Sequence, residues 1–207
     1  MRRAMSTPQL ILASASPRRQ QLLTQLGVGF EIATQHIDET KHPEETPVDY
    51  VCRMAVEKAR SALHTLLAED APVVLAADTI VLCEGEVLGK PADKAAALGM
   101  LSTLSAKSHR VLSAVAVANH RRESLLYSDT AVEFRPIDTT EAVRYWDTGE
   151  PAGKAGSYAI QGFGAAFVKS ISGSYSGVMG LPLFETAQLL AGFGIPSWQA
   201  ELERALE

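Results

Sequence analysis

Asp78 lies within the apolar, β-branched run Val73–Leu82, the pattern of a strand buried on both faces. A carboxylate in such a strand is costly unless it is paired, hydrogen-bonded or bound to a cation. A structural ion pair meets that condition, and so does a catalytic site in which the carboxylate accepts a proton from water. Thr79, the next residue, points to the opposite face of a regular strand.

Upstream, Ser14-Ala15-Ser16-Pro17-Arg18-Arg19 spans the turn between a short apolar strand, Leu10–Ala13, and a helical stretch, Arg18–Leu26, closed by Gly27. Backbone N–H groups and the helix dipole at such a turn attract phosphate, and Ser14, Arg18 and Arg19 add hydroxyl and guanidinium donors. A capped helix bearing two surface arginines has the same pattern. Lys58 falls at helical spacing from Val51, Ala55 and Ala62, on the flank of an apolar stripe, where ligand-facing and snorkelling lysines look alike. Lys90, before Pro91, and Lys154, between Gly153 and Gly156, occupy loops at the ends of elements. Glu39, beside Asp38 in a polar loop, offers carboxylate oxygen to a divalent cation or to solvent. Gln161 closes the glycine-bracketed segment Gly156–Gly162, and Gly173–Gly177 is a second; each suits a tight turn or a close backbone approach to a ligand.

These residues need elements to hold them. After the first strand, turn and helix, the pattern predicts a strand over Val28–Thr34 and a polar loop over Asp38–Glu45. A helix follows from Pro47 to about Leu67, started by Thr46 as cap, Pro47 at the first helical position and Asp49 at N3. The Val73–Leu82 strand turns at Glu84-Gly85 into Val87-Leu88, ahead of a helix over Asp93–Leu104. A hairpin of Val111–Ala118 and Leu125–Phe134 precedes a helix over Thr140–Trp146. Tyr158–Gln161 and Ala166–Ile171 read as short strands, Leu181–Leu190 and Trp198–Leu206 as closing helices. Interspersed strands and helices with no internal repeat and no long linker indicate one α/β domain with a mixed sheet, preceded by a flexible start over about residues 1–8.

Composition narrows the function classes. The 207 residues are 46% hydrophobic and 21% charged, ordinary globular usage that excludes disorder and fibrous repeats. With a net charge of −5 and no basic block beyond Arg2-Arg3, Arg18-Arg19 and Arg121-Arg122, no nucleic-acid partner is expected, while a small anion remains open. Cys52 and Cys83 lack metal-ligand spacing. No apolar run approaches the roughly 20 residues of a membrane helix, and Met1–Ser6 has no signal-peptide core, so the expectation is a cytoplasmic protein without membrane contact.

Taken in order, Ser14-Ala15-Ser16-Pro17-Arg18-Arg19, Ile37-Asp38-Glu39, Ala77-Asp78-Thr79, Gly89-Lys90-Pro91, Lys154-Ala155-Gly156, Ile160-Gln161-Gly162 and Gly180-Leu181-Pro182 resemble the Maf family of nucleotide pyrophosphatases, over about Leu10 to Leu190. The resemblance implies a Maf/inosine-triphosphatase-like α/β fold, usually a homodimer, with two lobes around a central cleft that holds a nucleoside triphosphate and a divalent cation, Mg²⁺ or Mn²⁺. It implies Asp78 as proton acceptor for the attacking water, Arg18, Lys58 and Lys90 as phosphate-binding groups, and Glu39 as a metal ligand. It also implies a base preference. Arg18, Thr79 and Gln161 match the members acting on dTTP and UTP, whereas the 7-methyl-GTP branch carries glutamine after the aspartate and glutamate in place of Gln161. One departure is Gly153, where the family commonly has an acidic residue before the lysine.

The chemistry expected from the resemblance is cleavage between the α and β phosphates, releasing a monophosphate and pyrophosphate. Asp78 would accept the proton while cations absorb the charge of the leaving group. An alternative is a nucleotide-binding regulator of septum formation or cell shape, since members of the family have been described as septum-formation inhibitors. A pure binder needs the cations but not a buried carboxylate at Asp78, which favours the enzyme.

Overall fold

In the computed structural model, which describes residues 10–34, 36–66 and 72–198, the apolar run containing Asp78 becomes the central strand β3 (Val73–Cys83). One edge of β3 pairs antiparallel with β5 (Ser108–Asn119) without interruption from Val74↔Ala118 to Leu82↔Arg110. The other edge is divided: β1 (Leu10–Leu12) runs parallel to Val73–Leu75, and β4 (Glu86–Leu88) runs antiparallel to Val81–Cys83. Among the described residues, no strand pairs with Ala76–Ile80 on that side. The Leu75 carbonyl accepts from the Ala13 N–H across this edge, so by strand alternation the backbone groups of Ala77 and Thr79 face the gap.

The sheet is completed by β2 (Glu31–Ile32), β6 (Arg122–Phe134) and β7 (Val168–Ser172) in the order β2-β1-β3-β5-β6-β7, seven strands with β4 included. Only the β1 pairings are parallel among the described strands. The β5–β6 hairpin turns through His120-Arg121, where the Asn119 side chain accepts from the Arg121 and Arg122 N–H groups.

Three buried clusters organise the helices. On one sheet face, Leu22 and Leu23 of α1 (Pro17–Gln25) and Leu189 and Leu190 of α6 (Leu183–Gly192) pack on Leu12, Leu75 and Val117. On the other, α2 (Pro47–Thr65) lays Ala55, Ala59 and Ala62 against Ala76, Ala114 and Ala116. Small residues on both partners let this helix sit close to the sheet, which brings a long side chain on its flank within reach of β3. Its start is fixed by Thr46, whose hydroxyl accepts from the Asp49 N–H, and by Pro47. Beyond the gap, α3 (Lys94–Leu104) and α4 (Thr139–Asp147) enclose Val81, Leu104, Phe134, Tyr145, Tyr158 and Phe167. The first two clusters form one lobe and the third the other.

Several elements differ from expectation. The strand over Val28–Thr34 contracts to Glu31–Ile32, because β1 offers it two paired positions and both residues are exposed. Tyr158–Gln161 is not a strand: the Ala159 N–H donates to the Tyr145 hydroxyl, and the Gly162 N–H closes a turn on the Ala159 carbonyl. The strand expected over Ala166–Ile171 begins at Val168, after a 3-10 turn over Phe163–Phe167. Gly173–Gly177 contributes to a short helix, α5 (Tyr175–Met179), capped by Ser174. α6 starts two residues late, after Pro182, and the helix expected over Trp198–Leu206 lies outside the described residues apart from Trp198. Among the described residues, no helix is long and apolar enough to cross a membrane.

His109 is buried in the third cluster, edge-on to Phe134 and Tyr158, with Nε2 2.9 Å from the Tyr158 hydroxyl and Nδ1 without a partner among the described residues. Burial lowers its pKa from 6.5 to about 4, so the folded protein holds it neutral. A base with a depressed folded pKa contributes stability that is complete above pH 6.5 and is lost as pH falls toward 4, because the unfolded chain takes up the proton first. Between pH 7 and 5 this one group is expected to remove about 2 kcal/mol of unfolding free energy. Denaturant titrations at both pH values test this: His109→Gln is expected to lose about that much less than wild type, and equal losses would contradict the assignment.

Candidate active site

The divided edge of β3 opens into a cleft of about 830 Å³ between the lobes. All ten residues singled out from the sequence line it: Ser14, Arg18, Arg19, Glu39, Lys58, Asp78, Thr79, Lys90, Lys154 and Gln161. The turn into α1, the loop before α2 and α2 itself supply the near wall, β3 the floor, and the loops after β4 and α4 the far wall.

Lys58 is the centre of the arrangement. Its ammonium lies 2.7 Å from an Asp78 carboxylate oxygen and 2.7 Å from a Glu39 carboxylate oxygen. The Lys58 and Asp78 side chains are 13% and 14% exposed, so the pair is desolvated enough to matter yet open to the cleft. Glu39 is 48% exposed. Burial pushes its carboxyl up, but the Lys58 hydrogen bond and the charges of Lys58, Lys90 and Arg19 outweigh that and hold it below its ordinary value. The loop carrying Glu39 is tied to α2: the Tyr50 hydroxyl donates to the Glu39 carbonyl at 2.8 Å, and Arg53 donates to the Thr40 carbonyl at 3.0 Å and to Glu45.

Asp78 and Thr79 point to opposite faces, as a regular strand requires. Asp78 meets α2, while the Thr79 hydroxyl lies 2.8 Å from the Ser113 hydroxyl and 3.4 Å from the Gly180 carbonyl. Both reach one cleft because no strand of the described residues covers β3 between β1 and β4.

At the start of α1, Ser16 occupies the cap position without a side-chain cap bond, which leaves first-turn N–H groups available. The Ser14 hydroxyl accepts from the Ser16 N–H, and Arg19 Nε donates to the Gly180 carbonyl at 2.9 Å. Arg18 Nε is buried and has no hydrogen-bond partner among the described residues. Burial lowers the pKa of both arginines, and for Arg19 the charge of Asp78 acts in the other direction. Burial, followed by the charge of Arg18, lowers that of Lys154. The cleft therefore gathers five Lys and Arg side chains against the two carboxylates Glu39 and Asp78, on a chain whose net charge is −5. Such a concave concentration of positive charge focuses the field on an anion of high charge.

Two further side chains, Tyr145 and Glu150, shape the far wall. The Glu150 carboxylate accepts from the Phe163 N–H at 2.9 Å, the Gly164 N–H at 3.0 Å and the Tyr145 hydroxyl at 2.7 Å, while that hydroxyl accepts from the Ala159 N–H at 3.1 Å. The pair thus clips the loop carrying Gln161 on both sides. A Cβ at Gly162 would lie 2.1 Å from a Glu150 oxygen, and one at Gly164 2.6 Å from the Tyr145 hydroxyl, so only glycine admits the clip. Glu150 is also the carboxylate whose charge acts on Lys154. At Gly153, where the family pattern has an acidic residue, nothing lies within 4 Å of the Cβ position. Neither residue stands out in the sequence: Gly149-Glu150-Pro151 has the composition of a plain turn, and Tyr145 falls within the helix expected over Thr140–Trp146.

Among the described residues, no three His, Cys, Asp or Glu side chains converge as a metal cage. Two carboxylates converging on one ammonium are nevertheless a suitable donor set for Mg²⁺ or Mn²⁺, which bind through one or two carboxylates when phosphate oxygens and water complete the shell.

The family model described as "Maf-like protein" matches residues 9–193. Over 199 residues the chain is 50% identical to the dTTP/UTP pyrophosphatase of Bordetella parapertussis, covering 93% of this chain and 96% of that one. It is 45% identical over 195 residues to the dTTP/UTP pyrophosphatase of Saccharophagus degradans, covering 94% and 93%. It is 47% identical over 188 residues to that of Symbiobacterium thermophilum, covering 91% and 95%. Among solved structures, the Staphylococcus aureus Ham1 protein aligns with 61% of this chain and 71% of its own, at 12% identity and a TM-score of 0.41.

The clip makes a prediction independent of any ligand. Tyr145→Phe removes one partner of Glu150 and one of the Ala159 N–H, interactions worth about 1–3 kcal/mol where a buried group is left unsatisfied. Amide exchange at Ala159, Phe163 and Gly164 is expected to accelerate about tenfold or more, with β3 and β5 unchanged. Unaltered exchange at these three amides would show that the clip does not hold the loop.

Proposed function

We propose that this chain, which belongs to the Maf family, is a nucleoside triphosphate pyrophosphatase that hydrolyses dTTP and UTP to the monophosphate and pyrophosphate. The observation that carries the reading is the Lys58-bridged pair of carboxylates set among Arg18, Arg19, Lys90 and Lys154 in one cleft. A binder of triphosphates needs the cations, whereas a carboxylate held at the floor among them suits proton transfer.

In the reaction, the triphosphate is oriented by the first-turn N–H groups of α1 and by the Arg18 guanidinium, which lines the cleft at the same turn. Asp78 accepts a proton as water oxygen bonds to the α phosphorus, and the bond from that phosphorus to the α–β bridging oxygen breaks. Lys58 stabilises the charge of Asp78 in the resting site and is near enough to follow charge as it moves to phosphate. Lys90 and Lys154, on the opposite wall, attract the leaving pyrophosphate. A Mg²⁺ or Mn²⁺ ion held by Glu39, with Asp78 nearby, would supply further charge neutralisation when bound. Thr79 and Gln161 suit the hydrogen-bonding edge of a pyrimidine. Residence in the cytoplasm and assembly as a homodimer belong to the same reading, the latter in keeping with Leu125 and Tyr127, exposed on one face of β6.

Pyrophosphate release from UTP, dTTP and 7-methyl-GTP tests the proposal. UTP and dTTP are expected to lead, because a site paired to one base edge penalises another by roughly 1–3 kcal/mol for each unsatisfied partner. Asp78→Asn is expected to lose at least about a hundredfold in kcat while staying folded, and a chelator to abolish turnover of the wild type. Wild-type turnover by Asp78→Asn would falsify its role, full activity after exhaustive chelation would remove the metal, and 7-methyl-GTP matching UTP would remove the base assignment.

A further inference from the structure

We infer that Ser113 is a positioning residue that fixes the hydrogen-bond polarity of the Thr79 hydroxyl, presenting it to the cleft as an acceptor. So oriented, Thr79 reads the N3–H that uracil and thymine carry and cytosine lacks. The inference rests on the dTTP/UTP reading above and names how one group in that site tells these bases apart.

The geometry leaves little freedom. Ser113 is fully buried on β5, directly across from Thr79 in the ladder. Its hydroxyl donates to the Gly177 carbonyl at 2.6 Å. A serine hydroxyl has a single proton. The 2.8 Å contact between Ser113 Oγ and Thr79 Oγ1 must therefore be made with the proton of Thr79, and Ser113 accepts. The other neighbour of Thr79 is the Gly180 carbonyl at 3.4 Å, which is an acceptor only and already receives Arg19 Nε at 2.9 Å. Ser113, at 2.8 Å against 3.4 Å, is the nearer acceptor, so it is Ser113 that directs the threonine proton into the protein. Thr79 remains half-buried at the cleft wall, so what it offers a ligand is its oxygen lone pairs.

Gly177 makes this possible. A Cβ there would come within 2.5 Å of Ser128 Oγ and 3.1 Å of Ser174, so glycine lets α5 press against the hairpin and bring its carbonyl to Ser113. The chain of commitments runs from the Gly177 carbonyl through Ser113 to Thr79 and ends at the cleft. Uracil and thymine meet that acceptor with a donor at N3; cytosine meets it with a second lone pair, which leaves both groups unsatisfied.

The test is kcat/KM for UTP and for CTP, by pyrophosphate release, on wild type, Ser113→Ala and Ser113→Cys, with the thermal midpoint of each. Ser113→Ala removes the near acceptor and leaves the Thr79 hydroxyl only the 3.4 Å Gly180 carbonyl, which Arg19 already occupies, so the hydroxyl is free to turn toward the cleft and the UTP-to-CTP ratio is expected to fall about fivefold to tenfold. The weaker thiol acceptor of Ser113→Cys is expected to give an intermediate ratio. A role in folding alone would lower both substrates together and leave the ratio unchanged; that result in the folded variants overturns the inference while the pyrophosphatase reading stands. A wild-type protein that releases no pyrophosphate from UTP overturns both.

Discussion

A lysine ammonium held between two carboxylates is the interaction on which the site depends. Asp78 stands in the central strand of the sheet, where an unpaired charge would be expelled or neutralised, and Lys58 meets it at 2.7 Å from a neighbouring helix. That contact needs α2 close to the sheet, which the alanines on both surfaces allow. It also needs the loop of Glu39 held above it, which Tyr50 and Arg53 accomplish from the same helix. Helix, strand and loop are thus fixed relative to one another by three charged groups that meet at the open edge of β3.

The divided edge of β3 turns this pair into a cleft. A strand paired on both sides along its length would present Asp78 to one face and Thr79 to the other, with no space common to both. Because β1 stops at Leu12 and β4 begins its pairing only at Val81, the intervening residues border open space. The second lobe then closes over that space through loops rather than regular elements. Gly156, in the left-handed region and 2.9 Å at its Cβ position from Val81, brings the Lys154 loop against β3, and the Tyr145–Glu150 clip sets the Gln161 loop beside it. Irregular backbone is tolerated there because its N–H groups find acceptors, side chains for Ala159, Phe163 and Gly164 and carbonyls for Gly156, Ser157 and Gly162.

Much of this was legible in the sequence. Asp78 was visible because a charge in an apolar run demands a reason, the Ser14–Arg19 turn because strand, proline and helix follow in order, and Lys58 because helical spacing put it on the flank of a stripe. The cleft brings all ten candidates together. What sequence periodicity did not reveal has tertiary causes. Tyr158–Gln161 has the composition of a strand, yet its backbone bonds to the Tyr145 hydroxyl and to its own turn. Glu150 and Ser113 look like an ordinary turn residue and an ordinary strand serine, and their parts depend on partners 13 to 64 residues away. Val28–Thr34 contracted because edge strands lengthen only as far as their neighbour pairs with them.

In the proposed reaction, water attacks the α phosphorus with Asp78 accepting its proton. Hydrolysis of UTP in H₂¹⁸O, followed by mass spectrometry of both products, measures the point of attack directly. One ¹⁸O atom is expected in UMP and none in pyrophosphate. Label in pyrophosphate would place the attack on the β phosphorus, and release of orthophosphate would place it on the γ phosphorus; either result would contradict the arrangement described for Asp78, Lys58 and the α1 turn.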